Sequence, residues 1–214
     1  MVNKLYSAVE FYQPVEYLDD LIHNQGVDER TLGGVGFTPL RLAQILNRRE
    51  QFTFLSNTPN APINVKDCRG CTPLWHAADN EDYMFVKVLL RAGCNPFTQD
   101  RRGRTSRRLL ENRKDGIVSR EAPDCINMLR FVEDHVMELI SAEQTNRAAN
   151  TLQLMMMSRH ERGTESPLRM LPNEILELIS EESARRTFQD IEHIRNDTMS
   201  VFVKKVMIVY DSTR

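Results

Sequence analysis

The chain has 214 residues, of which 41% are hydrophobic and 27% charged, a composition typical of a soluble globular protein with one domain or two small ones. Its formal net charge of -2 lacks the basic excess of a nucleic-acid-binding protein, so we expect neither nucleic acid nor a membrane among its partners. The first twenty residues have no apolar run of the kind found in a secretory signal, and no stretch approaches the roughly 20 apolar residues of a membrane helix.

In chain order, the first predicted element is helical, from Tyr6 to Gln25, and it ends at Gly26. Two later helices are predicted to stop in the same way, at Asn60 and Gly93. Glycine, and next best asparagine, tolerates the left-handed conformation that closes a helix C-terminus. These positions therefore indicate a regular alternation of helices and short arms.

A repeated motif follows the same spacing. The strings GFTPLRLAQ, GCTPLWHAAD and GRTSRRLLEN place a threonine at Thr38, Thr72 and Thr105, in steps of 34 and 33 residues. Each threonine can cap a helix through its hydroxyl, and Pro39 and Pro73 suit the first helical turn, where no backbone donor is missed. The pattern predicts a helix that begins directly after each threonine.

Residues from about Val15 to Val136 resemble an ankyrin repeat array, with TPLRLA and TPLWHAA standing where the family carries TPLHLAA. The resemblance implies an all-α solenoid of about three to four units with atypical ends, the segment Tyr6 to Gln25 being a partial first unit that caps the array. It also implies a protein that binds other proteins and is not an enzyme. We expect domain boundaries at 1–140 for the repeats, 141–166 for a helical linker and 167–214 for a C-terminal helical segment.

Five residues near the predicted repeat surface are candidates for partner contact: Arg69, Trp75, Arg101, Arg102 and Arg104. The arginines lie at or near predicted hairpin tips, where family members often contact their targets; the alternative is a solvated turn. Trp75 stands where the family usually has histidine, so it either packs against the neighbouring hairpin or anchors a partner.

Cysteine usage raises the question of a metal or redox site. Cys68 and Cys71 form a C-x-x-C with His76 nearby, a spacing that can hold zinc or support thiol exchange. Both cysteines fall inside the repeat template and no second pair follows, so we predict no metal, no cofactor and no catalytic residue, with His76 a buried, hydrogen-bonded helix residue. Four cysteines in a chain of this length favour a reducing compartment, the cytoplasm, or the host cytoplasm for a delivered effector.

The C-terminal third opens a different possibility. After a polar break at Arg162 to Ser166, the string LPNEILELI resembles the opening of an F-box, and an array followed by such a tail resembles the poxvirus ankyrin proteins with a C-terminal F-box-like (PRANC-like) motif and ankyrin effectors of intracellular bacteria. The resemblance implies a helix that docks on the Skp-type adaptor of a cullin-RING ubiquitin ligase. The implied docking residues are Leu171, Pro172, Ile175, Leu176 and Ile179. The alternative is a helix that only packs on the repeats as a structural cap.

The final apolar segment, VFVKKVMIVY, is ambiguous in period. Its β-branched residues suit a strand, whereas five side chains fit one helical face: Phe202, Val203, Val206, Met207 and Tyr210. Since no partner strand is evident nearby, we predict a helix that packs with the preceding one.

Overall fold

In a computed structural model, the structure describes residues 4–24, 37–59, 61–67, 69–113, 120–161 and 196–212. These residues contain helices and no strand, in agreement with the all-α prediction. None of the described helices is both long and apolar enough to cross a bilayer. In chain order the helices are α1 (Lys4–Glu10), α2 (Val15–Asp19, continued by a π-helical turn at Asp20–Asn24), α3 (Pro39–Ile45), α4 (Arg49–Asn57), α5 (Pro73–Asp79), α6 (Tyr83–Ala92), α7 (Ser106–Glu111), α8 (Ala122–Glu161) and α9 (Asn196–Ser212).

The three repeated threonines begin helices α3, α5 and α7, which confirms the predicted helix starts. Thr38 Oγ1 accepts a hydrogen bond from the amide three residues on at 3.2 Å, and Thr72 and Thr105 do the same at 3.3 Å. Each hydroxyl thereby satisfies one of the amides that a helix N-terminus leaves without a partner. The first helix of every unit is thus positioned by the same local interaction.

Contacts between helices follow the repeat. Helix α3 contacts α4 and α5 contacts α6 within their units, while α3 with α5, α5 with α7, and α4 with α6 join successive units. The N-terminal pair continues the pattern, with α1 against α3 and α2 against α4. Phe52 of α4 and Phe85 of α6 meet edge to face at 4.5 Å between ring centroids, in the buried core between two units.

Helix α6 stops at Gly93, as predicted, with the glycine in the left-handed region at φ +90°. The predicted stop at Asn60 is wrong, because α4 ends at Asn57 and Thr58 is already extended. The predicted stop at Gly26 lies outside the described residues. Gly93 also permits a close approach by α9, because a Cβ there would collide with Ser200 Oγ and lie 3.0 Å from the Ser200 carbonyl oxygen. The glycine therefore serves both a turn and a helix contact.

The final apolar segment is helical and forms α9, and the five predicted face residues are all buried, which confirms both the helix and its face. The preceding segment, with which α9 was predicted to pack, lies outside the described residues. The described partners of α9 are instead α6, through ion pairs from Lys87 and Arg91 to Asp211 at 3.1 and 2.8 Å, and Phe131 of α8, whose ring lies 5.1 Å from that of Tyr210.

The chain divides into two compact units, one comprising residues 1–133 with 196–214 and the other 134–195. The predicted boundaries at 140 and 166 differ from this division. Helix α9 packs on α6, so the C-terminal end of the chain belongs with the repeats. In the second unit, the described residues continue α8, with Val136 and Ile140 buried.

Candidate protein-binding surface

Two turns, 33 residues apart, are built by the same hydrogen bonds. In the first, the amide of Asp67 donates to the carbonyl of Cys71 at 2.9 Å, and in the second the amide of Asp100 donates to the carbonyl of Arg104 at 3.0 Å. Each turn has a glycine at positive φ, Gly70 at +79° in the first. The two turns are therefore equivalent parts of successive units.

The aspartate that opens each turn is used internally. Oδ1 of Asp67 accepts the amides of Arg69 and Cys71 at 2.8 and 2.9 Å, and Oδ1 of Asp100 accepts the amides two and four residues on at 2.8 and 3.0 Å. Burial alone would raise the pKa of Asp100, but hydrogen bonds from the amide and guanidinium of Arg104 outweigh it and hold the pKa below its usual value. Both carboxylates therefore stabilise their turns by accepting hydrogen bonds from the turn amides.

The two turns lie side by side. A Cβ at Gly70 would lie 3.1 Å from Cγ and 3.2 Å from the backbone nitrogen of Arg101, and Lys66 Nζ donates to the carbonyl of Gln99 at 3.1 Å. This contact brings together the exposed side chains of Lys66, Arg69, Arg101 and Arg102, which we call the basic tip. Arg69 Nε also lies 3.8 Å from Asp67 Oδ2, at the outer limit of an ion pair. The four cations outnumber the two turn carboxylates, so the basic tip presents an excess of positive charge to solvent.

Lys66 was not among the residues that the sequence singled out. Its position directly before the turn aspartate was visible in the repeat, but only the packing of one turn on the next places it beside Arg101. The predicted candidates Arg69, Arg101 and Arg102 all belong to the basic tip.

The other two predicted repeat residues, Arg104 and Trp75, are less exposed than the basic tip. Arg104 is half-buried, and its Nε and Nη2 donate to Asp100 Oδ2 at 2.9 and 2.7 Å. Its guanidinium carbon lies 5.6 Å from the ring centroid of Trp75, which is only 7% exposed. Of the two interpretations of Trp75, this geometry favours packing.

A third feature lies at the base of the first turn. His76 Nε2 and Asp67 Oδ2 are 2.9 Å apart, and His76 is buried on α5, which confirms the predicted hydrogen-bonded helix histidine. Burial, then the nearby positive charge of Arg41, lowers the pKa of His76 despite the pull of the carboxylate, so the imidazole is neutral near pH 7. The Cys71 thiol lies in the same cluster, and burial followed by the charge of Asp67 raises its pKa. Cys68, the other cysteine of the C-x-x-C, is outside the described residues.

Comparison with protein families gives a match to the ankyrin repeat over residues 69–101, a span that holds the end of the first turn, α5, α6 and the start of the second turn. The match supports the ankyrin repeat family. No curated protein and no solved structure matches the chain. Ankyrin repeats generally mediate protein–protein interaction, through surfaces that successive units build together.

Outside the matched repeat, a groove of about 770 Å³ runs between α2 and α4. Val15 and Phe54 give it an apolar lining, and Glu16, Arg49 and Glu50 give it a charged one. The charges are of both signs, so the groove has no single electrostatic preference, unlike the basic tip of the ankyrin repeat.

The residues of the F-box-like motif, Leu171, Pro172, Ile175, Leu176 and Ile179, lie outside the described residues, as does the polar break at 162–166. The glycines of the first predicted turn, Gly33, Gly34 and Gly36, are outside them as well. The described candidate surface is therefore confined to the ankyrin repeat region.

Proposed function

We propose that the chain is a non-enzymatic, protein-binding adaptor built on an ankyrin solenoid of about three to four units, and that its basic tip binds an acidic surface or segment of a partner protein. One observation carries this proposal: two adjacent turns expose Lys66, Arg69, Arg101 and Arg102 while their own carboxylates are bonded internally. Such a surface steers and selects an oppositely charged partner, which adds rate and specificity to binding.

The position of α9 is compatible with this role. It packs on α6, the second helix of its unit, and the four cations of the basic tip are exposed with α9 in place. A partner that approaches the turns therefore has no need to displace the C-terminal helix.

The test is charge reversal at the basic tip. Arg69→Glu with Arg102→Glu changes two exposed side chains, and Arg49→Glu with Arg120→Glu is the matched control, since these arginines are exposed outside the tip. Proteins that co-purify with the tagged wild-type chain are quantified against each variant at two salt concentrations. We expect partners that weaken with salt and fall at least about tenfold with the tip variant but not the control, as for a complementary charged interface. Partners retained equally by both variants would contradict the proposal.

We further propose that the segment 171–179 recruits a cullin-RING ubiquitin ligase by docking on its Skp-type adaptor. The sequence LPNEILELI supports this proposal, because it has the leucine-proline, acidic and paired apolar residues that open an F-box helix. The alternative role, a structural cap on the repeats, is less needed because α9 already packs on α6. A helix laid in an adaptor groove would bind through its apolar anchors.

A pull-down with purified Skp-type adaptor tests the second proposal. Leu171→Ala with Pro172→Ala is compared with Ile208→Ala, which removes an apolar side chain from α9 that is 71% exposed. Circular dichroism verifies that each variant keeps the helical content of the wild type. We expect the double variant to lose binding and the control to retain it. Absence of binding by the wild type would leave an ankyrin scaffold whose tail has only a structural role.

A further inference from the structure

The equivalent carboxylates of the two turns meet different partners through Oδ2. Asp100 Oδ2 is held by the guanidinium of Arg104 at 2.7 and 2.9 Å. In the preceding unit the residue equivalent to Arg104 is Cys71, and the guanidinium beside Asp67 is that of Arg69, whose Nε lies 3.8 Å from Oδ2, beyond hydrogen-bond distance. Oδ2 of Asp67 faces the His76 imidazole at 2.9 Å instead. A carboxylate, an imidazole and a thiol therefore meet where the next unit has an ion pair.

These three groups converge within the range that a small cation can bridge. A carboxylate oxygen of Asp67, the sulfur of Cys71 and a nitrogen of His76 all lie within 4.8 Å of one another. Cys71 and His76 are each 4% exposed. Carboxylate, thiolate and neutral imidazole are ligands of zinc, with metal–ligand distances of about 2.0–2.3 Å.

We propose that Asp67, Cys71 and His76 bind a Zn²⁺ ion, which fills in this ankyrin repeat the place that Arg104 takes beside Asp100. Ligands of one tetrahedral zinc ion lie about 3.3–3.8 Å apart, so the cluster closes by at most about 1.5 Å while the imidazole and carboxylate separate by a few tenths of an ångström. Water supplies the fourth ligand. The amides of Arg69 and Cys71, which bond Oδ1, hold the carboxylate in position as outer-shell partners do in metal sites.

The protons and charges balance without an oxidant or reductant. The Cys71 thiol gives its proton to solvent as the thiolate binds. In the free protein Nε2 of the neutral imidazole donates to Asp67 Oδ2, so this proton leaves Nε2 and Nδ1 takes one up through solvent before Nε2 binds the ion. The local charge rises by one, and Arg41 and Arg69 oppose it. With these cations and three protein ligands, we expect a dissociation constant on the order of micromolar, weaker than that of closed structural zinc sites.

The test is a titration of the full chain with Co²⁺ after removal of metals by a chelator. We expect one ion per chain and an absorption band for charge transfer from thiolate to cobalt, which Zn²⁺ abolishes by displacement. Two variants replace a ligand with the equivalent residue of the next repeat unit. Cys71→Arg introduces the residue found at Arg104, and His76→Leu introduces the residue found at Leu109. Each should lose the band or weaken binding at least tenfold. Cys94→Ala, which changes a buried cysteine outside the cluster, is the matched control and should keep the band.

A second measurement separates lost binding from lost folding. Zn²⁺ should raise the Tm of the wild type and of Cys94→Ala, and leave that of His76→Leu unchanged. Circular dichroism identifies any variant that fails to fold. If one of the two ligand variants does so, the other one tests whether the cluster binds the metal. The proposal is overturned by a wild type without a thiolate band, or by a band that persists in Cys71→Arg or His76→Leu with less than a tenfold loss of affinity.

Discussion

Replacement of Gly93 by alanine tests the packing of α9 on α6. The new methyl group meets two obstacles. The backbone stays at φ +90°, which costs an L-residue about 1–2 kcal/mol, and the added Cβ collides with Ser200 Oγ beside the Ser200 carbonyl oxygen. Overpacking of this kind costs about 1–3 kcal/mol, so we expect a total loss of about 2–5 kcal/mol in the free energy of unfolding.

Gly103 provides the matched control. It also lies at positive φ, +71°, but a Cβ there would meet only Gln99 Oε1 at 3.6 Å, an ordinary contact. Gly103→Ala should therefore lose only the conformational component, about 1–2 kcal/mol. The excess loss at Gly93 isolates the contact with α9.

The assay is urea unfolding followed by the fluorescence of Trp75, the single tryptophan of the chain, which is buried in the same compact unit. Ser200→Ala removes the nearest obstacle, so the double variant Gly93→Ala with Ser200→Ala should recover part of the loss, with a coupling of at least about 0.5 kcal/mol. Equal losses in Gly93→Ala and Gly103→Ala, with no coupling to Ser200, would refute the placement of α9.

Three further substitutions test the compact unit formed by residues 1–133 and 196–214. Thr72→Ala removes the hydroxyl that caps α5 and should cost about 1 kcal/mol in the free energy of unfolding, against no loss for Thr53→Ala on the exposed face of α4, where alanine is the better helix former. Phe52→Ala empties a fully buried site between two units and should cost about 3–5 kcal/mol by urea unfolding; a loss under about 1 kcal/mol would contradict the described core. Hydrogen bonds from Arg91, and then Lys87, outweigh burial and lower the pKa of Asp211, so its contribution is present above the ordinary aspartate pKa and disappears as pH falls through the folded value. Asp211→Asn should therefore lose about 0.5 kcal/mol at pH 7 and nothing in strong acid; an equal loss at both pH values would exclude the ion pairs as its cause.

The repeat could be predicted from the sequence because its helix caps depend on neighbouring residues only. A threonine cap requires only a hydroxyl and the amide three residues on, so Thr38, Thr72 and Thr105 could be placed without knowledge of any distant residue. The helix stop at Gly93 is equally local, since glycine alone has no steric penalty in the left-handed region.

The spacing of apolar residues predicted the buried face of the last helix but not the helix on which it packs. The spacing of Phe202, Val203, Val206, Met207 and Tyr210 identified the buried face of α9. It could not identify α6 as the partner, because an apolar face specifies only that it will be covered.

The amino-acid sequence by itself determined the threonine caps, the repeat period and the helix stop at Gly93, since each depends on neighbours within a few positions. Only the tertiary structure decided that Lys66 joins Arg101 in one basic surface, that Trp75 is buried, and that Asp67, Cys71 and His76 converge. Those outcomes depend on how one unit packs on the next and on how a turn returns to its helix. Such contacts join residues that no local pattern relates.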